Sequence, residues 1–305
     1  MTAAEPERSA DRATNRAAWL GIAPAVLLLA AIQGYPILRG VYLSLTDTSL
    51  LTPNLSRFVG AANFDRLLGS AFFTKTIAAT LIYAAGSVVG AIGLGLAAAL
   101  LMNGEFFGRR VVRSVILVPW ATPQVAAALV FVWMFNPDYG VLNFALRRFG
   151  VVQEPVLWLN DPNVAMLSVL VATIWKIFPF SALVLLAALQ SIPASHEEAA
   201  RVDGAKGLAI LSEITLPGIR RTVLVLVLFL SIWSLRRFEL IWLLTRGGPV
   251  RATNTLVIDL YREAFINSRL GQGAAIGVVG FLASIVITAI YYWVERGSAR
   301  RAGEA

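Results

Sequence analysis

Six apolar segments, residues 17–38, 76–103, 114–135, 163–192, 222–245 and 272–294, constrain this chain more than any other feature. Each is long enough to cross a hydrocarbon core of ~30 Å, which takes about 20 helical residues. Lipid offers no hydrogen-bond partner to a peptide group, so segments of this kind must satisfy their own backbone as helices. Composition agrees: 57% of the 305 residues are hydrophobic, 14% are charged, and the mean hydropathy is +0.71. The expected fold class is an all-α integral membrane protein with six transmembrane helices.

The first segment lacks charge and is longer than the apolar part of a cleaved signal peptide, so it reads as a retained span, bent at Pro24 and Pro36. Residues 1–16 are polar and rich in charge, which suits a cytoplasmic tail, and residues 296–305 form a second basic tail. Gly86, Gly90 and Gly93 give the second span a small-residue face for close helix packing. Gly93-Leu94-Gly95 with Ala98 formally fits a dinucleotide fingerprint, but no strand precedes it and packing explains it better. Pro119 and Pro123 interrupt the third span. Trp19, Trp120 and Trp133 read as ordinary packing residues.

The absence of cysteine excludes disulfides and thiolate chemistry. The net charge of +8 sits at the ends of the apolar segments, which fits membrane topology and not nucleic-acid binding. His196-Glu197 opens a zinc-protease-like motif that Ala200 breaks, and no Gly-x-Ser-x-Gly elbow or Gly-Lys-Ser/Thr phosphate loop occurs. The chain therefore reads as a non-enzyme that cannot cradle ATP itself.

Residues 195–217 form a polar island between the fourth and fifth segments. Ser195 with Glu198 predicts a capping box at a helix start, and Asp203-Gly204 predicts its end. Leu216-Pro217 predicts the start of the next span. Ala199 and Ala200 leave one face of the short helix almost without bulk, which suits close approach by another protein.

Glu198-Ala199-Ala200, Asp203-Gly204-Ala205, Ile214 and Leu216-Pro217 together resemble the "EAA" loop in membrane subunits of carbohydrate-type, binding-protein-dependent ABC importers. Tyr35-Pro36-Ile37, Phe58-Val59-Gly60, Pro119-Trp120-Ala121-Thr122-Pro123 and Gly247-Gly248-Pro249 are similar to the same family. One departure is Arg221, where the family usually carries proline. The resemblance implies a six-helix permease domain over residues 17–295 and a cytoplasmic coupling loop at 195–221. In that loop Glu198, Ala199, Ala200, Asp203, Gly204, Ala205, Leu216 and Pro217 would meet an ATP-hydrolysing partner. It further implies a second homologous permease in a heterodimer, two ATP-binding subunits that carry the ATP and magnesium, and an extracytoplasmic binding protein. This chain would hold no cofactor. Its expected place is the inner (plasma) membrane, with both termini cytoplasmic, an orientation that basic residues modestly support.

Ionisable residues within spans mark candidate solute paths, since a charge at the bilayer centre costs about 2.5–3.5 kcal/mol even on a lenient scale. Lys176, Arg236, Arg237 and Glu239 are those residues, and three-residue spacing predicts an Arg236–Glu239 pair on one helical face. Alignment with the maltose-type relatives implies ligand contacts at Thr173, Ile177, Phe180, Trp233, Ser234 and Arg237. The expected function is permeation of a sugar or polyol, with a phosphorylated polyol such as glycerol phosphate or a glycerophosphodiester as the alternative. An ion-coupled secondary transporter is the reading from another class, although the midplane carboxylates and internal repeats of such folds are sparse here.

Overall fold

The computed structural model describes residues 21–303. The expected tail 1–16, together with residues 17–20 and 304–305, lies outside the described residues. Five described helices are long and apolar enough to cross a membrane: Gly21–Ser44, Ala71–Asn103, Ala165–Gln190, Gly207–Leu235 and Leu270–Arg296. The bent pair Arg109–Ala121 and Gln124–Met134, whose axes meet at 94°, makes a sixth when its two halves are taken together as one broken span. No strand occurs among the described residues beyond an isolated bridge between Thr46 and Phe58.

Several boundaries depart from the sequence reading. The first and fifth helices were expected to bend or begin at Pro36 and at Leu216-Pro217, yet both run through these prolines. A π turn precedes each one, Ala30–Gly34 before Pro36 and Leu211–Thr215 before Pro217. A proline ring lacks an N–H and collides with the carbonyl one turn back, and the wider π turn takes up that misfit without ending the helix. The fifth long helix therefore starts at Gly207, ahead of the Leu-Pro pair. Its far end is also displaced, because the expected span to Thr245 stops at Leu235 and a separate helix, Glu239–Thr245, follows. The last helix continues through the expected 296–305 tail to Gly303.

The second and fourth spans, Ala71–Asn103 and Ala165–Gln190, form the most extensive helix pairing among the described residues. Membrane helices gain little from hydrophobic exclusion, so close backbone approach through small residues holds such a pair together. Gly86 and Gly90 face Leu170 and Ile174, and Gly95 meets the backbone and side chain of Ser181. Gly93, expected on this face, has open space where a side chain would stand. Around the pair are two dense clusters. One joins Tyr83, Phe131, Phe135, Val169, Ala172, Leu240 and Ile241, and the other Ala99, Met102, Ala182, Leu185, Leu189, Ile219 and Leu226.

Outside the spans, the connections are tied down by buried polar contacts. Asp259, 3% exposed, accepts from Asn254 Nδ2 at 2.9 Å and pairs with Arg251 at 3.4 Å, while Asn254 also donates to Thr76 at 2.9 Å. The loop after the fifth span is thereby fastened to the second.

A methyl carbon on Gly95 would stand 2.6 Å from Ser181 Cβ and 3.0 Å from the Ala182 nitrogen, a clash the backbone must relieve by moving. Gly95→Val should lower thermal stability in detergent by about 1–3 kcal/mol, whereas Gly93→Val should leave it nearly unchanged. A melting comparison of the two variants checks this.

Candidate functional site

The third span breaks between Ala121 and Gln124, and the break leaves the carbonyls at the end of Arg109–Ala121 without helical partners. Lys176, buried midway along the fourth span, satisfies them. Its ammonium donates to Pro119 O at 2.9 Å, to Trp120 O at 3.0 Å and to Thr122 O. A cation at a helix C-terminus also complements the helix dipole. One side chain thus holds the elbow that aims Trp120 and Gln124 inward.

The elbow faces the second break, at Arg236, Arg237 and Phe238 between Leu235 and Glu239. Between the two breaks lies a cleft of about 550 Å³, lined by residues that include Trp120, Gln124, Lys176, Ile177, Trp233 and Arg237. A smaller cluster of Val88, Ala91, Ile177 and Leu230 packs against Phe180 and Trp233 beside it. Aromatic rings form one side. Phe180 stands 6.5 Å from Trp120, 5.8 Å from Phe229 and 5.4 Å from Trp233, centroid to centroid.

Of the residues expected to contact ligand, Ile177, Trp233 and Arg237 line this cleft, and Phe180 joins its aromatic side. Thr173 and Ser234 do not. Thr173 is wholly buried and bonds to Tyr83 Oη at 3.0 Å, and Ser234 donates to the Ser231 carbonyl at 2.7 Å. The four intramembrane charges, Lys176, Arg236, Arg237 and Glu239, all converge here from two spans. The expected Arg236–Glu239 pair is absent among the described residues, because the helix ends before Arg236 and helical spacing no longer applies. Trp120, expected to pack, is half exposed at the cleft, and the sequence reading also missed Gln124 and Phe238. The paired prolines around Trp120 were the available signal, since they mark where a helix must open.

The polar island folds as the helix Ala194–Val202, a turn over residues 203–206 and a second short helical stretch, Gly207–Ile210, that runs on into the fifth span. The start of Ala194–Val202 differs from the expected capping box. Pro193 occupies the cap position with no side-chain cap bond, so Ser195 lies within the first turn and Glu198 has nothing to reciprocate. Its end follows the expected turn at Asp203-Gly204. Gly204 has φ of 83°, its N–H bonds Arg201 O at 3.1 Å, and Ala205 N–H bonds Ala200 O at 2.9 Å, the two bonds of a Schellman stop. No residue of the helix is buried. Glu198, Ala199, Asp203 and Gly204 are exposed, Ala200 and Ala205 partly so, and Leu216 and Pro217 lie exposed on the next helix.

Residues 91–300, which hold both breaks and this helix, match the family described as binding-protein-dependent transport system inner membrane component. The chain belongs to that family. Among its relatives is the sulfoquinovosyl glycerol transport system permease protein SmoG of Agrobacterium fabrum, 38% identical over 90% of this chain and 89% of the relative. The trehalose/maltose transport system permease protein MalF of Thermococcus litoralis is 33% identical, covering 91% and 93% of the two chains. The sn-glycerol-3-phosphate transport system permease protein UgpA of Agrobacterium fabrum is 32% identical, covering 91% and 94%. In fold, the chain superposes on a bacterial ABC transporter involved in import of the acidic polysaccharide alginate. The TM-score is 0.79 at 24% identity, over 95% of this chain and 98% of the other. A further alginate transporter structure, in complex with its ligand-bound periplasmic protein, gives 0.77. The chain is thus a multi-pass permease component of a transport system.

Removing the Lys176 ammonium would strand three carbonyls in a buried elbow. Lys176→Met should destabilise the permease by about 2–3 kcal/mol, and Lys176→Arg should recover part of that loss. Melting temperature in detergent reads both.

Proposed function

We propose that this permease forms half of the translocation pathway of an ATP-driven importer for a carbohydrate or polyol. A second, homologous permease supplies the other half. Two ATP-binding subunits carry the nucleotide and magnesium, and an extracytoplasmic binding protein delivers the ligand. Both termini and the helix Ala194–Val202 lie on the cytoplasmic side. The names of the relatives support the ligand class, since they refer to sulfoquinovosyl glycerol, trehalose/maltose and glycerol-3-phosphate.

The observation that carries this reading is the Ala194–Val202 helix, which projects with no buried residue and with Ala199 and Ala200 on it. A folded helix that covers nothing of its own chain is suited to cover something else. Small residues let a partner's backbone come close, and Glu198 and Asp203 add polar anchors. Val202 at the end of this helix is 88% exposed, and Leu208 in the first turn of the fifth span is 81% exposed.

Aromatic rings at the cleft suit the C–H faces of a sugar ring, with Gln124 placed for hydroxyl groups. ATP binding in the partners would pull on the projecting helix, and its neighbours would carry the movement to the cleft.

Ala200→Glu places a charged bulk on the small face, and Gly204→Val forces a branched side chain to positive φ. Each should abolish co-purification of the ATP-binding subunits and ATP-dependent uptake, with the permease still present in the membrane. Wild-type recovery of those subunits with either variant would overturn the coupling role. Uptake by this chain alone in proteoliposomes, driven by an ion gradient without nucleotide, would overturn the importer reading.

A further inference from the structure

The cleft carries more positive charge than its own side chains neutralise. Lys176, Arg236 and Arg237 line it against one carboxylate, Glu239. Lys176 is engaged with three carbonyls. Among the described residues neither guanidinium has an ion pair or a side-chain hydrogen bond, and Glu239 pairs with neither.

A structural explanation covers part of this. Arg236 caps the C-terminus of the Leu216–Leu235 helix, where positive charge complements the dipole. That accounts for one cation at a helix end. It leaves Arg237, half-buried, lining the same cavity beside Trp120 and Trp233. Charges within spans are costly unless they meet a partner, a water-filled cavity or a ligand. Each guanidinium is a planar donor fork suited to a carboxylate or phosphate, which it can grip through parallel N–H···O bonds.

We infer that the cleft selects a sugar or polyol bearing an anionic group. Arg237 is the principal anion-binding residue and Arg236 the second. The rings of Trp120 and Trp233 lie against the carbon skeleton, and Glu239 takes hydroxyl donors at the exposed rim. This rests on the cleft being the translocation path. A neutral ligand would leave both guanidiniums without a counter-charge each time the cleft closed over it, and an anion removes that penalty.

The test uses the importer complex purified with its partner subunits in nanodiscs, without the binding protein, so that the permease's own preference is read. Equilibrium binding is measured for sn-glycerol 3-phosphate and D-glucuronate against glycerol and D-glucose. The anions should bind about tenfold or more tightly than their neutral counterparts, and less tightly as salt is raised. Arg237→Gln should remove that preference, Arg237→Lys should keep part of it, and neither should change subunit assembly. Arg236→Gln provides the second variant should Arg237→Gln fail to assemble.

Neutral probes bound as tightly as the anions, or no probe bound at all, would overturn the inference. If Trp233→Ala then abolishes neutral binding while Arg237→Gln leaves it intact, the cleft stands as the ligand path and only the anion reading falls. If binding responds to neither change, both fall.

Discussion

A peptide carbonyl in the interior of a membrane protein must find a donor, and the rest of this structure depends on how Lys176 meets that requirement. The third span turns through 94° at Ala121–Gln124, an opening that no helix can make without orphaning carbonyls. Water would satisfy them only if it filled the space. Lys176 does so from the fourth span with a single ammonium, leaving the space beside the elbow for the cleft. Three acceptors around one cation also explain how a lysine is tolerated midway along a span. Its charge is desolvated but fully coordinated by oxygen.

The clamp works only if its own helix is fixed. That helix lies in the most extensive helix pairing among the described residues, where Gly86, Gly90 and Gly95 of the second span admit Leu170, Ile174 and Ser181. Close backbone approach makes the fourth span a rigid post. From it Lys176 holds one broken span, while Ile177 and Phe180 reach toward the other. The cleft is therefore a gap between two interrupted helices measured against one uninterrupted helix.

Much of this was legible in the chain. Apolar runs of spanning length could only become helices, and Gly204 could only stop one, because it supplies positive φ where a Schellman turn needs it. Pro119 and Pro123 announced an interruption. They could not announce its angle, which is set by a lysine more than fifty residues away in sequence. The break at Arg236 was hidden for a different reason. Helical periodicity continues on either side, so a one-dimensional reading extends the span and pairs Arg236 with Glu239. Adjacent arginines were the physical clue, since neighbouring positions on a helix point about 100° apart and both cannot face one protected interior. The prolines of the first and fifth helices misled in the opposite direction, because a π turn absorbs a proline without leaving a mark in composition.

Continuity of the fifth helix links the two functional regions. It runs from Gly207, just past the Schellman stop, through the π turn to Leu235, at the edge of the Arg236 break. Its 29 residues span about 43 Å at helical rise. One end lies beside the projecting Ala194–Val202 helix and the other carries Trp233 into the cleft. A continuous hydrogen-bonded helix is stiff along its axis, so under the proposed function a pull at the Gly207 end shifts Trp233 as part of a rigid rod. The break beyond Leu235 then confines the movement. Glu239–Thr245 packs through Leu240, Ile241 and Leu244 into the cluster that holds Tyr83, Phe131 and Phe135, and it need not follow the rod. The strain falls on Arg236, Arg237 and Phe238, where the α-helical ladder gives way to two longer i→i−3 bonds, Arg236 N–H to Trp233 O at 3.2 Å and Arg237 N–H to Ser234 O at 3.3 Å. Opening and closing of the cleft are thereby concentrated on the two arginines that line it.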